Sequence, residues 1–288
     1  MSADIGIEAP DPDTGPMASV PRSRGIHIEI AGLVFRISGA TGPMTTWLRD
    51  RYAPFLSEKR TTVSVRVEPS RTWPRGRHPR EAVDWQGEQL RINLPACRGE
   101  ADLSSKQIWL SVPPVPAALS PSVFLVLCAA LLHRKGGFLL HASGVMCHGR
   151  AWVFCGPSES GKTTIARLAE GRPVLSDETV AIGKRNGKHV AFATPFFGEG
   201  GPVMGALNTD GPVRGFFFLH KATRFSHERL TARQVIERAF PQVFLPRTDP
   251  AVVSGLLGDL ADFGTKVPCY DLFFPPRPGL WEYLDGIR

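Results

Sequence analysis

The most constraining stretch of this 288-residue chain is Gly156-Pro157-Ser158-Glu159-Ser160-Gly161-Lys162-Thr163, a full G-x-x-x-x-G-K-[ST] loop. It follows the apolar run Trp152 to Cys155 and precedes a helical pattern, so it has to turn a strand into a helix. A loop of this kind wraps phosphate oxygens with backbone N–H groups. Gly161 permits close approach, Lys162 balances charge on the β- and γ-phosphates, and Thr163 offers a hydroxyl to Mg²⁺. The candidate nucleotide-binding residues are Gly156, Pro157, Ser158, Glu159, Ser160, Gly161, Lys162, Thr163 and Thr164, with ATP and Mg²⁺ as the expected cofactors. A chance glycine turn would not explain the strand, the Lys-Thr pair and the helix together.

The rest of the chain reads as an α/β protein with a mainly β front region. Residues 1–24 are rich in Pro, Asp, Gly and Ser without apolar period, which predicts a disordered tail. In region 25–112, alternation over Ile26 to Ile30 and Leu33 to Ile37 predicts a hairpin. A helix is expected near Thr45 to Phe55. Strands are expected at Thr62 to Val67, Ala82 to Asp84, Gln89 to Leu94 and Gln107 to Ser111, in a mainly antiparallel arrangement. Pro113, Pro114 and Pro116 mark a hinge, and region 118–288 opens with a buried helix from Ser120 to His133, Ser120 as cap and Pro121 at its first position. Short strands are expected at Phe138 to Leu140, Gly144 to Cys147 and Gly215 to Leu219. The C-terminal part reads helix (Thr231 to Phe244), helix (Asp249 to Phe263), strand (Pro268 to Phe274), helix (Gly279 to Leu284).

Composition removes several function classes. No apolar run is expected to reach the ~18 residues of a membrane helix, because His133, Arg134 and Lys135 interrupt the longest candidate. Asp4, Glu8, Asp11 and Asp13 precede any basic residue, unlike a signal peptide, so a cytoplasmic location and no membrane partner are expected. The five cysteines, Cys97, Cys128, Cys147, Cys155 and Cys269, lack a CxxC pair and read as small core residues. A formal charge of +7 is carried mostly by scattered Arg, so no nucleic-acid partner is expected. The basic run Arg71, Arg75, Arg77, His78 and Arg80 reads as a solvated loop or as a docking surface for a peptide.

After the loop, a short helix from Thr163 to Ala169 is followed by Val174-Leu175-Ser176-Asp177-Glu178, a strand ending in two carboxylates. About seven helical residues rise only ~10 Å, so the chain is expected to return along the strand adjacent to the loop and bring Asp177 beside it. This tight return, and the lack of an LSGGQ-like or NKxD-type motif, argue against transporter, motor and switch-GTPase readings.

The run Leu140-His141-Ala142-Ser143-Gly144-Val145, the loop Gly156 to Thr163 and the run Leu175 to Ile182 together resemble the C-terminal kinase domain of HPr kinase/phosphorylase and its relatives. That domain is itself similar to the nucleotide-binding part of phosphoenolpyruvate carboxykinase. The resemblance is specific over 139–182 and looser over 194–220. It implies a P-loop kinase domain in which Asp177 accepts the proton of a serine hydroxyl and His141 stands beside it. Glu178 replaces the family's second Asp, keeping the charge at the metal on a longer arm. The glycine-rich E-x-R-G-x-G-I segment of the bifunctional enzymes is missing, with Gly198-Glu199-Gly200-Gly201 at best a remnant, so HPr itself is not the implied acceptor. Some relatives tailor ribosomally made peptides such as lasso peptides, and HPr kinases form hexamers. A peptide or small-protein acceptor and a homo-oligomer are therefore expectations carried by the resemblance.

The resulting expectation is an ATP-dependent kinase with Asp177, His141 and Lys162 as catalytic residues and Thr163 and Glu178 at the metal. Two alternatives remain at this level: a kinase for a free hydroxy acid or sugar, and a nucleotide-binding partner protein that transfers nothing. His141 could equally be a core residue, Asp177 a strand-end cap or metal holder, and Glu199 a metal or substrate ligand or a turn. Arg214 and Lys221 could clamp a transferring phosphate or simply be solvated strand ends.

Overall fold

The structure, a computed structural model, describes residues 25–73, 82–197, 208–245 and 250–287. Alternation builds its first layer. Ile26, Ile28 and Ile30 of β1 (Ile26–Ile30) and Leu33, Phe35 and Ile37 of β2 (Leu33–Ser38) are buried on one face. Ala31 and Gly32, both left-handed at φ 51 and 73, make the two-residue turn between them. Helix α1 (Gly42–Arg51) is capped by Thr41, whose Oγ1 accepts from the Met44 N–H, and a 3-10 turn at Ala53–Phe55 finishes the expected helical stretch. Strands β3 (Val63–Pro69), β4 (Ala82–Gln86), β5 (Gln89–Leu94), β6 (Cys97–Asp102) and β7 (Gln107–Val112) complete a seven-stranded sheet ordered β1-β2-β3-β7-β6-β5-β4.

This sheet is more mixed than the alternation suggested, because β3 runs parallel to both β2 and β7. Helix α1 carries the chain back across the sheet before β3, which allows a parallel pairing. Strand β6 escapes notice in the sequence because only Cys97 and Ala101, both small, are buried along it. Of the basic run, Arg71 lies in an exposed turn, while Arg75, Arg77, His78 and Arg80 lie outside the described residues, as does the expected tail.

Helix α2 (Pro121–His133) packs against both layers. Phe124 meets Phe35 and Tyr52 edge-on at 5.5 and 5.2 Å, and the helix also lies against β8 (Phe138–Cys147). Ser120 occupies the N-cap position with Pro121 after it, but its side chain makes no capping bond. By length and composition Pro116–His133 does pass as a membrane-span candidate, contrary to the sequence expectation. Its first three residues form a separate 3-10 turn, and the 13-residue α2 rises only ~20 Å against the ~30 Å of a bilayer core. Its buried Val123, Phe124, Leu127 and Leu131 serve the protein interior.

The second sheet contains β8, β9 (Arg150–Cys155), β10 (Val174–Ser176), β11 (Thr179–Arg185), β12 (Lys188–Phe192), β13 (Asp210–Lys221), β14 (Ser226–Arg229) and β15 (Cys269–Phe274). Six helices were expected in all; those after β9 are α3 (Lys162–Arg167), α4 (Ala232–Ala239), α5 (Pro250–Lys266) and α6 (Leu280–Asp285). Strands β9, β13 and β15 are parallel, with β9 wedged between β8 and β13. Two short strands expected over 138–147 are one continuous β8, and β10 pairs with β8 (Val174 opposite Val145). The chain therefore returns one strand farther from the loop than the short helix implied. Asn186 and Gly187, at φ 50 and 73, join β11 to β12 in the hairpin turn such a pair favours.

Aromatic rings tie the parallel strands. Phe217 stacks on Trp152, Phe154 and Tyr270 at 5.4–5.5 Å on one face, while Phe216 meets Phe263 of α5 edge-on at 5.2 Å on the other. In the first layer, Tyr52 is fully buried and its hydroxyl finds no hydrogen-bond partner among the described residues; burial pushes its pKa well above the ordinary value. Tyr52→Phe should leave stability unchanged or raise it by about 1 kcal/mol, since a desolvated hydroxyl is removed without a cavity. Tyr52→Ala should cost about 3–5 kcal/mol. Urea unfolding of the two variants checks this, and a loss above about 1 kcal/mol for Tyr52→Phe would show that the hydroxyl is bonded.

Candidate functional site

The three parallel strands β9, β13 and β15 end on one edge of the sheet, the position at which open α/β sheets place ligands. There Cys155 leads into the Gly156–Thr163 loop, Lys221 closes β13 and Phe274 closes β15. Both glycines of the motif are needed. A Cβ on Gly156 would lie 2.6 Å from Ser160 Oγ, and one on Gly161, which sits at φ 110, would lie 2.7 Å from Phe274 Cζ. Glu159 is left-handed at φ 63, so the loop is tightly wound. Lys162 is 6% exposed and its Nζ donates to Gly156 O at 2.8 Å and Pro157 O at 3.0 Å. Burial lowers the pKa of this ammonium, while Cys155 and Glu178 oppose that shift.

Sheet register supplies the opposite wall. Ala142 pairs with Cys155 across β8–β9, and Thr179 pairs with His141 across β8–β11, so His141 lies beside the start of the loop and Glu178 beside His141. The Ala142 N–H donates to Glu178 O at 3.1 Å. Ser176 Oγ accepts from the N–H groups of Glu178 and Thr179 and donates to Phe196 O, pinning the turn between β10 and β11. The outcome is an imidazole–carboxylate pair, His141 Nδ1 to Glu178 Oε1 at 3.1 Å.

A cavity of about 530 Å³ lies between these walls. Ser158, Glu159, Gly161, Lys162, Thr163 and Thr164 line it from the loop, and His141, Glu178 and Lys221 from the strands. Most of the residues singled out in the sequence thus converge. Asp177 does not line the cavity: it is 8% exposed, one residue behind Glu178 in the pinned turn. Gly156, Pro157 and Ser160 support the loop from within, and Ser160 Oγ is buried. Arg214 and Lys221 part company: Lys221 lines the cavity, whereas Arg214 lies toward the other end of β13 and donates to Ile287 O at 3.3 Å. Glu199, with Gly198, Gly200 and Gly201, lies outside the described residues.

The cavity's charges act on one another. His141 has its pKa lowered, first by burial and then by the Lys162 ammonium, with Glu178 pulling it back up. A depressed histidine pKa means that the unfolded chain binds the proton more readily. The associated stability is complete above the unfolded value of ~6.5 and is lost as pH falls toward the lowered folded value. By NMR, the His141 ring protons should titrate with a midpoint below ~6.5. Glu178→Gln should lower that midpoint further and Lys162→Met should raise it. Shifts of the opposite sign would mean that these three side chains do not share one cavity.

No protein-family model matches the sequence, and no curated protein does. Among solved structures, the chain is similar to the one titled "Structure of the Hpr(Ser) kinase/phosphatase from Coxiella burnetii". The identity is 11%, the TM-score is 0.29, and the match covers 51% of this chain and 84% of that chain. The chain itself is a mixed α/β architecture of two sheets.

Proposed function

We propose that the chain is an ATP-dependent kinase that transfers the γ-phosphoryl group to a hydroxyl, that of a Ser in a peptide or small protein. The observation that carries this reading is the cavity in which the Gly156–Thr163 loop and Lys162 face the His141–Glu178 pair. Its volume of about 530 Å³ falls among small-ligand sites. Lys162 and Lys221 bring two cationic side chains to phosphate oxygens, and the loop glycines let backbone N–H groups approach them. Thr163 and Glu178 are oxygen donors on the cavity wall that suit Mg²⁺. The bound ion would neutralise charge on the β- and γ-phosphates. Lys162, now folded onto two loop carbonyls, would swing its ammonium to the incoming phosphates.

The proton of the acceptor hydroxyl goes to the His141–Glu178 pair in this proposal. With the Nδ1 proton donated to Glu178 Oε1, Nε2 of a neutral imidazole is left as the acceptor, and the lowered pKa keeps the ring neutral near pH 7. The proton acceptor expected from the resemblance was Asp177, which stands behind this wall, so the two assignments separate experimentally. A peptide acceptor is supported by the exposure of Ser158, Glu159 and Thr163 and by the 41% exposure of the Glu178 side chain, which leave the cavity mouth open.

The test is transfer of label from γ-labelled ATP to a panel of Ser-containing peptides, free serine and hydroxy acids. Wild type should label a peptide. Lys162→Ala should abolish transfer. His141→Asn and Glu178→Gln should each slow it about 10²-fold or more with nucleotide binding kept, and Asp177→Asn should slow it less than about tenfold. Label appearing only on free acids would make the chain a small-molecule kinase. Tight nucleotide binding with no transfer to any acceptor would reject kinase activity.

A further inference from the structure

A second cluster of reactive side chains lies away from the phosphate loop. Cys147 ends β8, His148 and Gly149 turn into β9, and Asp285 ends α6. One ligand atom from each of Cys147, His148 and Asp285 lies within 4.8 Å of the other two, and among the described residues no other trio of His, Cys, Asp and Glu converges in this way. The two-residue turn is tight, with His148 at φ 49 and Gly149 at φ 72, which holds His148 directly next to Cys147. Beside the cluster opens a separate cavity of about 530 Å³, lined by Cys147, His148, Glu170 and Arg172. His141 and Cys147 are six positions apart along β8, roughly 20 Å at ~3.3 Å per residue, so this is not an extension of the nucleotide cavity.

The donor set is selective. One thiolate, one imidazole and one carboxylate match a three-ligand tetrahedral site with a fourth position open to water, whereas Ca²⁺ and Mg²⁺ call for more oxygens and no sulfur. Bonds of ~2.0–2.3 Å place tetrahedral ligands about 3.5 Å apart. From 4.8 Å or less, the exposed His148 and Asp285 have to close by at most about 1.3 Å, within the reach of side-chain rotation. Arg172 stands next to the sulfur. Its guanidinium contacts Cys147 and bonds Glu170 Oε2 at 3.3 Å. Its guanidinium is held over the Trp281 ring at 4.7 Å and on Ala169 O at 3.2 Å, which fixes it at the rim.

We infer that Cys147, His148 and Asp285 bind one thiophilic divalent cation, Zn²⁺ or Co²⁺ in character. On binding, the Cys147 thiol gives its proton to solvent and the sulfur takes the metal. The ion joins the β8–β9 turn, whose second strand feeds the loop, to α6, whose Trp281 indole donates to Leu168 O just after α3. It is thus a clasp on the scaffold behind the nucleotide cavity, independent of whether that cavity transfers phosphate.

Titration of Co²⁺ into the reduced full-length protein tests the inference, with the sulfur-to-cobalt charge-transfer absorption as readout. Wild type should develop the band at one Co²⁺ per chain, and Zn²⁺ should bleach it. Cys147→Ser should lose it. His148→Asn, with a residue that suits the left-handed turn, and Asp285→Asn should each weaken Co²⁺ binding at least about tenfold. Because Cys147 is buried at a strand end, its replacement can disturb folding; the His148 and Asp285 variants change exposed groups and keep the test independent of that. No band in wild type at millimolar Co²⁺, a band surviving in Cys147→Ser, or wild-type affinity in both other variants overturns the inference.

Discussion

Strand β8 is the member on which the site depends. It hydrogen-bonds to β11 through its first half and to β9 and β10 through its second, so one ten-residue segment sets three registers. Those registers decide that His141 faces the loop's entry and that Glu178 arrives beside it. Gly144 makes the crowding tolerable: a Cβ there would come within 3.0–3.1 Å of Val180 and Leu175, the strands on either side of the turn carrying Asp177 and Glu178. A slip of one residue along β8 would move His141 to the opposite face of the sheet. The carboxylate–imidazole pair is therefore a product of backbone pairing more than of side-chain preference.

The strand–loop–helix turn at Gly156–Thr163 was legible, because a tight turn of this kind needs glycines at fixed positions. The hairpin of β1 and β2 was legible for the same kind of reason, through strict alternation. β8 was not read as one strand, since a strand buried on both faces loses its alternation and His141-Ala142-Ser143 resembles a break. The Asn186-Gly187 turn is a strong local hairpin signal for β11 and β12. Which of two neighbouring carboxylates faces the cavity could not be read at all. Asp177 and Glu178 lie in a turn whose orientation is set by Ser176 and Phe196, and Phe196 is twenty residues from its partner. The Cys147–His148–Asp285 cluster was invisible for a simpler reason: a lone Cys-His pair has no meaning until the chain's far end folds against it.

Electrostatics in the loop favour readiness over emptiness. Lys162 is almost wholly buried, yet both of its recorded bonds are to carbonyls of its own loop, which keep the ammonium solvated from within. Those carbonyls are weak competitors for a charged phosphate oxygen, since a charge-assisted bond is roughly twice as strong as a neutral one. The same ammonium presses on His141, so its departure toward a ligand would alter the imidazole's proton affinity. The position of the Lys162 ammonium is thereby felt at the opposite wall.

The parallel trio β9, β13 and β15 also fixes when the protein can become complete during synthesis. The loop is made midway along the chain, but Gly161 packs against Phe274, and Leu168 O accepts from the Trp281 indole. A chain emerging from the ribosome at roughly 5–20 residues per second carries its motif for several seconds before the last strand and helix can reach it. Until they do, one face of the loop and the end of its helix lack their supports. Maturation of this pocket is therefore a late, vectorial event, and loss of even the final strand and helix would leave the motif intact in sequence while removing the floor beneath it.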